Sequence, residues 1–161
     1  MIADETYISR RFLELQDLFK NAKGWASKDD KLAANLAALL NVLIVGVIED
    51  CIEYLIATRV KKTHDSEVEH YIVQTIHKRF RNPDHEAISG MLKEFSETYK
   101  RNFKEKIPGN SKEATSLKSL IDNKNSLTHK GTSNLSLTIK DVENYFNDVI
   151  RIVEALEQVL S

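Results

Sequence analysis

In Lys124-Asn125-Ser126-Leu127-Thr128-His129-Lys130-Gly131 a base-capable imidazole follows an amide by four residues, beside a cation and just before a glycine. Four residues of α-helix turn through about 400°, so Asn125 and His129 leave the same helix face. An imidazole titrates close to neutral pH, so one group can take a proton and return it. The last turn of a helix also favours a cation, because the backbone dipole ends there in negative charge. A plain helix end with a solvated histidine and a glycine cap has the same letters. The setting has to decide between them.

That setting is a helix whose wheel can be worked out. With Lys124 at 0° and about 100° per residue, Leu117, Leu120, Ile121, Leu127 and Thr128 fall within about 60° of it. Lys124 therefore sits in the middle of the apolar stripe. An ammonium buried without a partner is costly, so this lysine should find an anion, a carbonyl or a wet cleft, unless it snorkels out along its neighbours. Lys118, Asp122, Asn125 and His129 cluster between about 100° and 160° on the same wheel. One helix thus aims two lysines, an amide, an imidazole and a carboxylate at adjoining sectors.

The elements that would hold this helix are helices too. A first apolar stripe carries Ile8, Phe12, Leu15 and Phe19 and ends near Lys23-Gly24. Ser27 with Asp30 is a candidate cap for a long second helix running toward Thr63. Ser66 with Glu69 has the spacing of a capping box and opens a third, with Val68, Tyr71, Ile72, Ile76 and Phe80. Asn82-Pro83-Asp84 breaks the chain, and one further helix spans Ile88 to Phe103. Pro108-Gly109-Asn110 is a turn, and Ser111 can cap the helix that bears the motif. Thr138 with Asp141 starts the last helix, striped by Val142, Phe146, Val149, Val153, Leu156 and Leu160. Leu135 to Ile139 alternates like a strand but is too short to build a sheet. The prediction is an all-α bundle of about six helices, one domain over residues 1–161, without repeats or linkers.

Composition narrows the function classes. The chain has 161 residues, 23 Lys and Arg against 24 Asp and Glu, and a formal net charge of −1. No global basic field gathers polyanions, so a nucleic-acid partner has to meet local patches. Lys78, Arg79 and Arg81 form one candidate patch, and Lys100, Arg101, Lys104 and Lys106 another, although such runs are more often solvated faces. The single Cys51 rules out an internal disulfide and reads as a small buried hydrophobe. Leu32 to Ile48 is nearly all apolar, but Asn35, Asn41, Gly46 and then Glu49, Asp50 and Glu53 leave it short of a spanning helix. It reads as the bundle's central helix. The N-terminus lacks a secretion signal, so the expected setting is cytoplasmic, with no membrane partner.

Other constellations are weaker. His70 and His77 lie two turns apart, about 10 Å, too far to ligate one metal; His64 with Asp65 and Glu67 lacks ligand spacing, and no metal site or cofactor is implied. Arg81-Asn82-Pro83-Asp84-His85 imitates the motif one residue short and reads as a solvated turn. Trp25, expected between helices, is assigned to packing against the bundle rather than to base stacking.

Lys124-Asn125-x-x-x-His129 resembles the R-N-x-x-x-H signature of the HEPN superfamily, most closely its stand-alone RiboL-PSP-HEPN branch. The likeness extends through Leu117–Gly131, through Leu137–Tyr145, to the apolar second helix with Glu49, and to Arg79-Phe80-Arg81-Asn82-Pro83. The resemblance implies a metal-independent endoribonuclease, commonly a toxin or antiviral effector, working as a homodimer in which two motif copies meet across a cleft. Carried over, His129 is the acid/base group, Asn125 holds the imidazole or the phosphate, and Lys124 neutralises the phosphorane. Lysine stands where arginine is usual, so bidentate clamping of phosphate is lost. Lys118, Asp122, Glu49 and Lys130 are supporting candidates. The implied partners are RNA, a second copy and possible antitoxin or companion protein. A non-catalytic RNA- or nucleotide-binding module, or a protein-interaction domain, stays open as the alternative.

Overall fold

The computed structural model describes residues 6–130 and 136–161, apart from the side chains of Arg79 and Lys130. Among the described residues there are seven helices and no strand: α1 (Tyr7–Ala26), α2 (Asp30–Lys61), α3 (Ser66–Arg79), α4 (His85–Phe95), α5 (Glu97–Lys106), α6 (Lys112–Lys130) and α7 (Ile139–Leu160). The all-α expectation holds, with one helix more than predicted. The extra one arises at Ser96. Its backbone is extended, closing α4 through its N–H to the Leu92 carbonyl, while its Oγ accepts the Thr98 N–H to open α5. A serine that caps the next helix competes with continuing the previous one.

Cap chemistry sets most of the other boundaries. Thr138 and Asp141 start α7 as predicted, forming a reciprocal capping box, and Ser111 Oγ accepts the Ala114 N–H at 3.2 Å to open α6. Two caps are shifted from the sequence reading. Asp29, not Ser27, caps α2, and Asp65, not Ser66, caps α3; each carboxylate accepts two N–H groups of the first turn. A carboxylate also complements the positive end of the helix dipole, which a serine does not. Ser136–Thr138 is not a strand, and Ile139 already begins α7; Leu135 lies outside the described residues.

α2 is the hub, packed against α1, α3, α6 and α7. Its Ile44, Ile48, Ile52 and Ile56 are fully buried in one core with Leu117 and Leu120 of α6, Ile88 and Leu92 of α4, Phe103 of α5, and Phe146 and Leu156 of α7. Each such aliphatic side chain contributes about 1.5–3 kcal/mol by leaving water. Phe146 is clasped by Phe12 and Phe19, which pins α1 to α7. By length and composition α2 is apolar enough to cross a membrane, where the sequence reading had it fall short. Many of its apolar residues face four packed helices, as in a central bundle helix, while Leu32, Leu39, Val42 and Leu43 stay partly exposed.

Packing also corrects two smaller expectations. Trp25 is 53% exposed at the end of α1 instead of covered by the bundle. Cys51 is buried, and burial, with Asp50 adding to it, pushes its thiol up to about 12, so it behaves as the predicted inert hydrophobe.

Candidate functional site

α6 lies beside α2 in a register set by a buried amide. Asn41, fully buried, donates to the Leu120 carbonyl at 2.9 Å and accepts from Asn123 Nδ2 at 3.3 Å. An amide satisfied on both sides locks one helix against the other, since a slip would leave it unpaired in the core. Two turns further along α2, the same register brings Glu49 to Lys124.

Lys124 Nζ sits 3.1 Å from Glu49 Oε1, with the two side chains 24% and 20% exposed. The lysine at the centre of the apolar stripe has therefore found an anion, one of the outcomes the wheel left open. The same carboxylate oxygen accepts the Asn82 N–H at 2.8 Å. Glu49 thus ties three elements together: α2, α6 and the turn between α3 and α4.

These elements enclose an open cleft of about 550 Å³. α2 contributes Glu49, Asp50 and Glu53, and α3 contributes His77. The turn after α3 adds Phe80, Arg81 and Asn82, and α6 adds Lys124, Asn125, Thr128 and His129. The carboxylates are engaged: Glu49 with Lys124, Asp50 with Arg11 at 3.0 Å, and Glu53 with His77 Nδ1 at 3.2 Å. Among the described residues, His129 and Arg81 have no hydrogen bond or ion pair, and both are exposed at the cleft. Asn125 Oδ1 accepts from Asn82 Nδ2 at 3.4 Å, a long contact, and is not bonded to His129. The amide and imidazole share a face, as predicted, with the ring free at the rim.

The structure sorts the sequence candidates. Glu49, Lys124, Asn125 and His129 are brought together at the cleft. Lys118 and Asp122 instead pair with each other at 2.9 Å, both exposed, and do not line it. The Lys130 side chain and Gly131 lie outside the described residues.

The turn read as solvated is the main correction. His85 is buried, its Nε2 2.7 Å from the Ile107 carbonyl and its ring stacked on Phe103, while Arg81 and Asn82 line the cleft. Asn82 has φ 53°, in the left-handed region, immediately before Pro83. Asparagine tolerates that region best among residues with a Cβ, but a following proline disfavours helical backbone there. Its side-chain Oδ1 is also buried without a hydrogen-bond partner. Each of these two features costs on the order of 1–3 kcal/mol. The bonds to Glu49 and Asn125 offset part of that cost. In the sequence this turn shows only as an Asn-Pro pair, which marks a turn but says nothing of what the turn faces.

Chemically, the cleft offers an amide, a neutralised lysine and, among the described residues, an imidazole and a guanidinium without a hydrogen-bond or ion-pair partner. That set can move a proton and hold an anion. Among the described residues no group of three or more His, Cys, Asp or Glu side chains is placed to hold a metal ion. A family model described as RiboL-PSP-HEPN matches residues 6–161. Neither the curated proteins nor the solved structures hold a match to the chain.

Proposed function

Because the chain belongs to the RiboL-PSP-HEPN family, we propose that it is a metal-independent endoribonuclease with His129 as its acid/base group. The observation that carries this reading is His129 itself: exposed at the rim of the Lys124–Asn125 cleft, with neither ring nitrogen engaged among the described residues. RNA brings its own nucleophile. A neutral imidazole takes the 2′-hydroxyl proton, the 2′-oxygen attacks phosphorus, and the P–O5′ bond breaks as an imidazolium protonates the leaving oxygen. The products are a 2′,3′-cyclic phosphate and a 5′-hydroxyl, and the nearby cations stabilise charge on the phosphorane. A positioned histidine contributes roughly 10²- to 10⁴-fold in such steps.

His129 by itself serves acid and base roles poorly in a single event, and His77, also at the cleft, is paired with Glu53, which favours two copies. The surface supports a homodimer. Leu32, Leu39, Val42 and Leu43 leave a stripe of α2 between about 37% and 54% exposed, and Asp50 and Glu53 of the cleft continue the same helix face. A symmetric contact along that stripe buries the apolar residues and brings two clefts to one seam. On this reading the protein is a cytoplasmic toxin or defence effector, with RNA as substrate and a companion antitoxin as a candidate partner. A second reading, RNA held in the cleft without being cut, draws on the Lys124–Glu49 pair, which leaves the motif's cation already neutralised.

Incubating purified protein with total RNA and excess chelator, alongside the His129→Ala variant, tests this. Cleavage by the parent, loss in the variant and cyclic-phosphate ends support the nuclease. Equal cleavage by both proteins refutes it, and binding without cleavage selects the second reading.

A further inference from the structure

We infer that Arg81, on the turn between α3 and α4, supplies the cation that grips RNA phosphate in this cleft, in place of Lys124. The inference rests on the RNA-cleaving reading above.

Lys124 is poorly placed for the task. Its ammonium is 3.1 Å from Glu49, and both side chains are mostly buried. Turning it toward a phosphate would strip Glu49 of its counter-charge just as a second anion arrived. Glu49 cannot easily follow, because the Asn82 N–H holds the same oxygen at 2.8 Å. A lysine in this state spaces and orients the site but carries little charge to spare.

Arg81 is complementary in each respect. It lines the same cleft as His129, is exposed, and has no hydrogen bond or ion pair among the described residues. The carboxylates of the cleft, Glu49, Asp50 and Glu53, are each within 3.2 Å of another partner. A guanidinium also presents the planar fork that a lysine lacks, matching two phosphate oxygens at once. Its backbone is not loose. The next residue, Asn82, is anchored to Glu49 through its N–H and to Asn125 through its amide, in a left-handed conformation that the turn keeps despite Pro83. The turn thus holds a free arginine against the element that bears the imidazole, and restores by tertiary contact the arginine missing from the motif.

The test compares Arg81→Gln, Arg81→Lys and Lys124→Gln, each confirmed folded by circular dichroism. Binding of a fluorescent single-stranded RNA of random sequence is measured by anisotropy across salt concentrations, in the His129→Ala background so that the probe stays intact. Removing one phosphate-binding cation lowers the log–log salt slope by about 0.7 for single strands. Arg81→Gln is expected to show one such decrement, Arg81→Lys to keep the parent slope, and Lys124→Gln to leave it unchanged. With His129 present, Arg81→Gln should cut the cleavage rate by roughly 10²-fold or more, as for loss of one transition-state donor, and Arg81→Lys by less. An unchanged slope and rate in Arg81→Gln, with the decrement appearing in Lys124→Gln, overturns this assignment and leaves the nuclease standing. A parent that neither binds nor cuts RNA overturns both.

Discussion

Removing the Lys124 ammonium should destabilise the protein in a way that removing its partner as well largely reverses. At 3.1 Å and an effective dielectric near 20 the Lys124–Glu49 attraction is about 5 kcal/mol before desolvation. Both groups keep only about a fifth to a quarter of their exposure, so much of that gain is spent on stripping water from them. Lys124→Met leaves Glu49 half-buried with one N–H donor, and we expect a loss of about 1–3 kcal/mol, between the values for exposed and buried pairs. For a chain of this length that corresponds to a Tm lower by about 2–10 °C. Glu49→Gln keeps the acceptor for Asn82, and the freed lysine can swing outward along its stem, so its loss should be smaller. Glu49→Gln with Lys124→Met should return to within about 1 kcal/mol of the parent, giving a coupling energy of about 1–2 kcal/mol. Urea unfolding of the four proteins at one fixed concentration measures it, since dimerisation would make stability concentration-dependent. Losses that add to within about 0.5 kcal/mol would refute the pair in solution. They would also return Lys124 to the pool of free cations and undercut the role given to Arg81.

Three further outcomes follow from the same structure. Leu39→Glu with Leu43→Lys should leave the fold intact but convert a dimer to a monomer in light scattering, because both side chains lie on the exposed stripe of α2; dimers unchanged by the pair would move the interface elsewhere. Asn82→Gly should change stability by less than about 1 kcal/mol, since glycine accepts the left-handed backbone and removes the orphaned oxygen, whereas Asn82→Val should cost about 1–3 kcal/mol; unfolding midpoints that rank the other way would refute the strain argument. The Lys23 hydrogen bond, with Lys140 assisting, holds the Glu143 carboxyl below the usual carboxylate range. A lowered carboxylate adds stability at and above its ordinary range and loses it as pH falls through its folded value. Glu143→Gln should therefore cost under about 1 kcal/mol near neutrality, and the gap should close as pH falls below the ordinary carboxylate range in urea titrations at several pH values.

Much of the site could be read from local rules. A lysine at the centre of an apolar stripe must find a partner or snorkel out, and an amide and imidazole four residues apart in a helix must share a face; neither statement needs a third dimension beyond one helix. What local rules could not supply was the partner's address. Glu49 was one of several acids flanking the apolar run, and only the Asn41 register between α2 and α6 selects it over Asp50 and Glu53. Local rules also misplaced His85 and Trp25, because burial depends on which surface another element happens to cover.

Periodicity, caps and composition alone determined that the chain is helical, that α6 and α7 open at Ser111 and Thr138, and that Asn125 and His129 share one helix face. Each of those properties is settled within a few residues, by hydrogen bonds and side-chain spacing along one helix. The tertiary structure alone decided that Lys124 is neutralised and that the Arg81–Asn82 turn lines the cleft beside it. Those outcomes depend on pairings between residues 30 to 80 positions apart, such as Glu49 with Asn82 and with Lys124, and no local propensity encodes which distant surface a turn will meet.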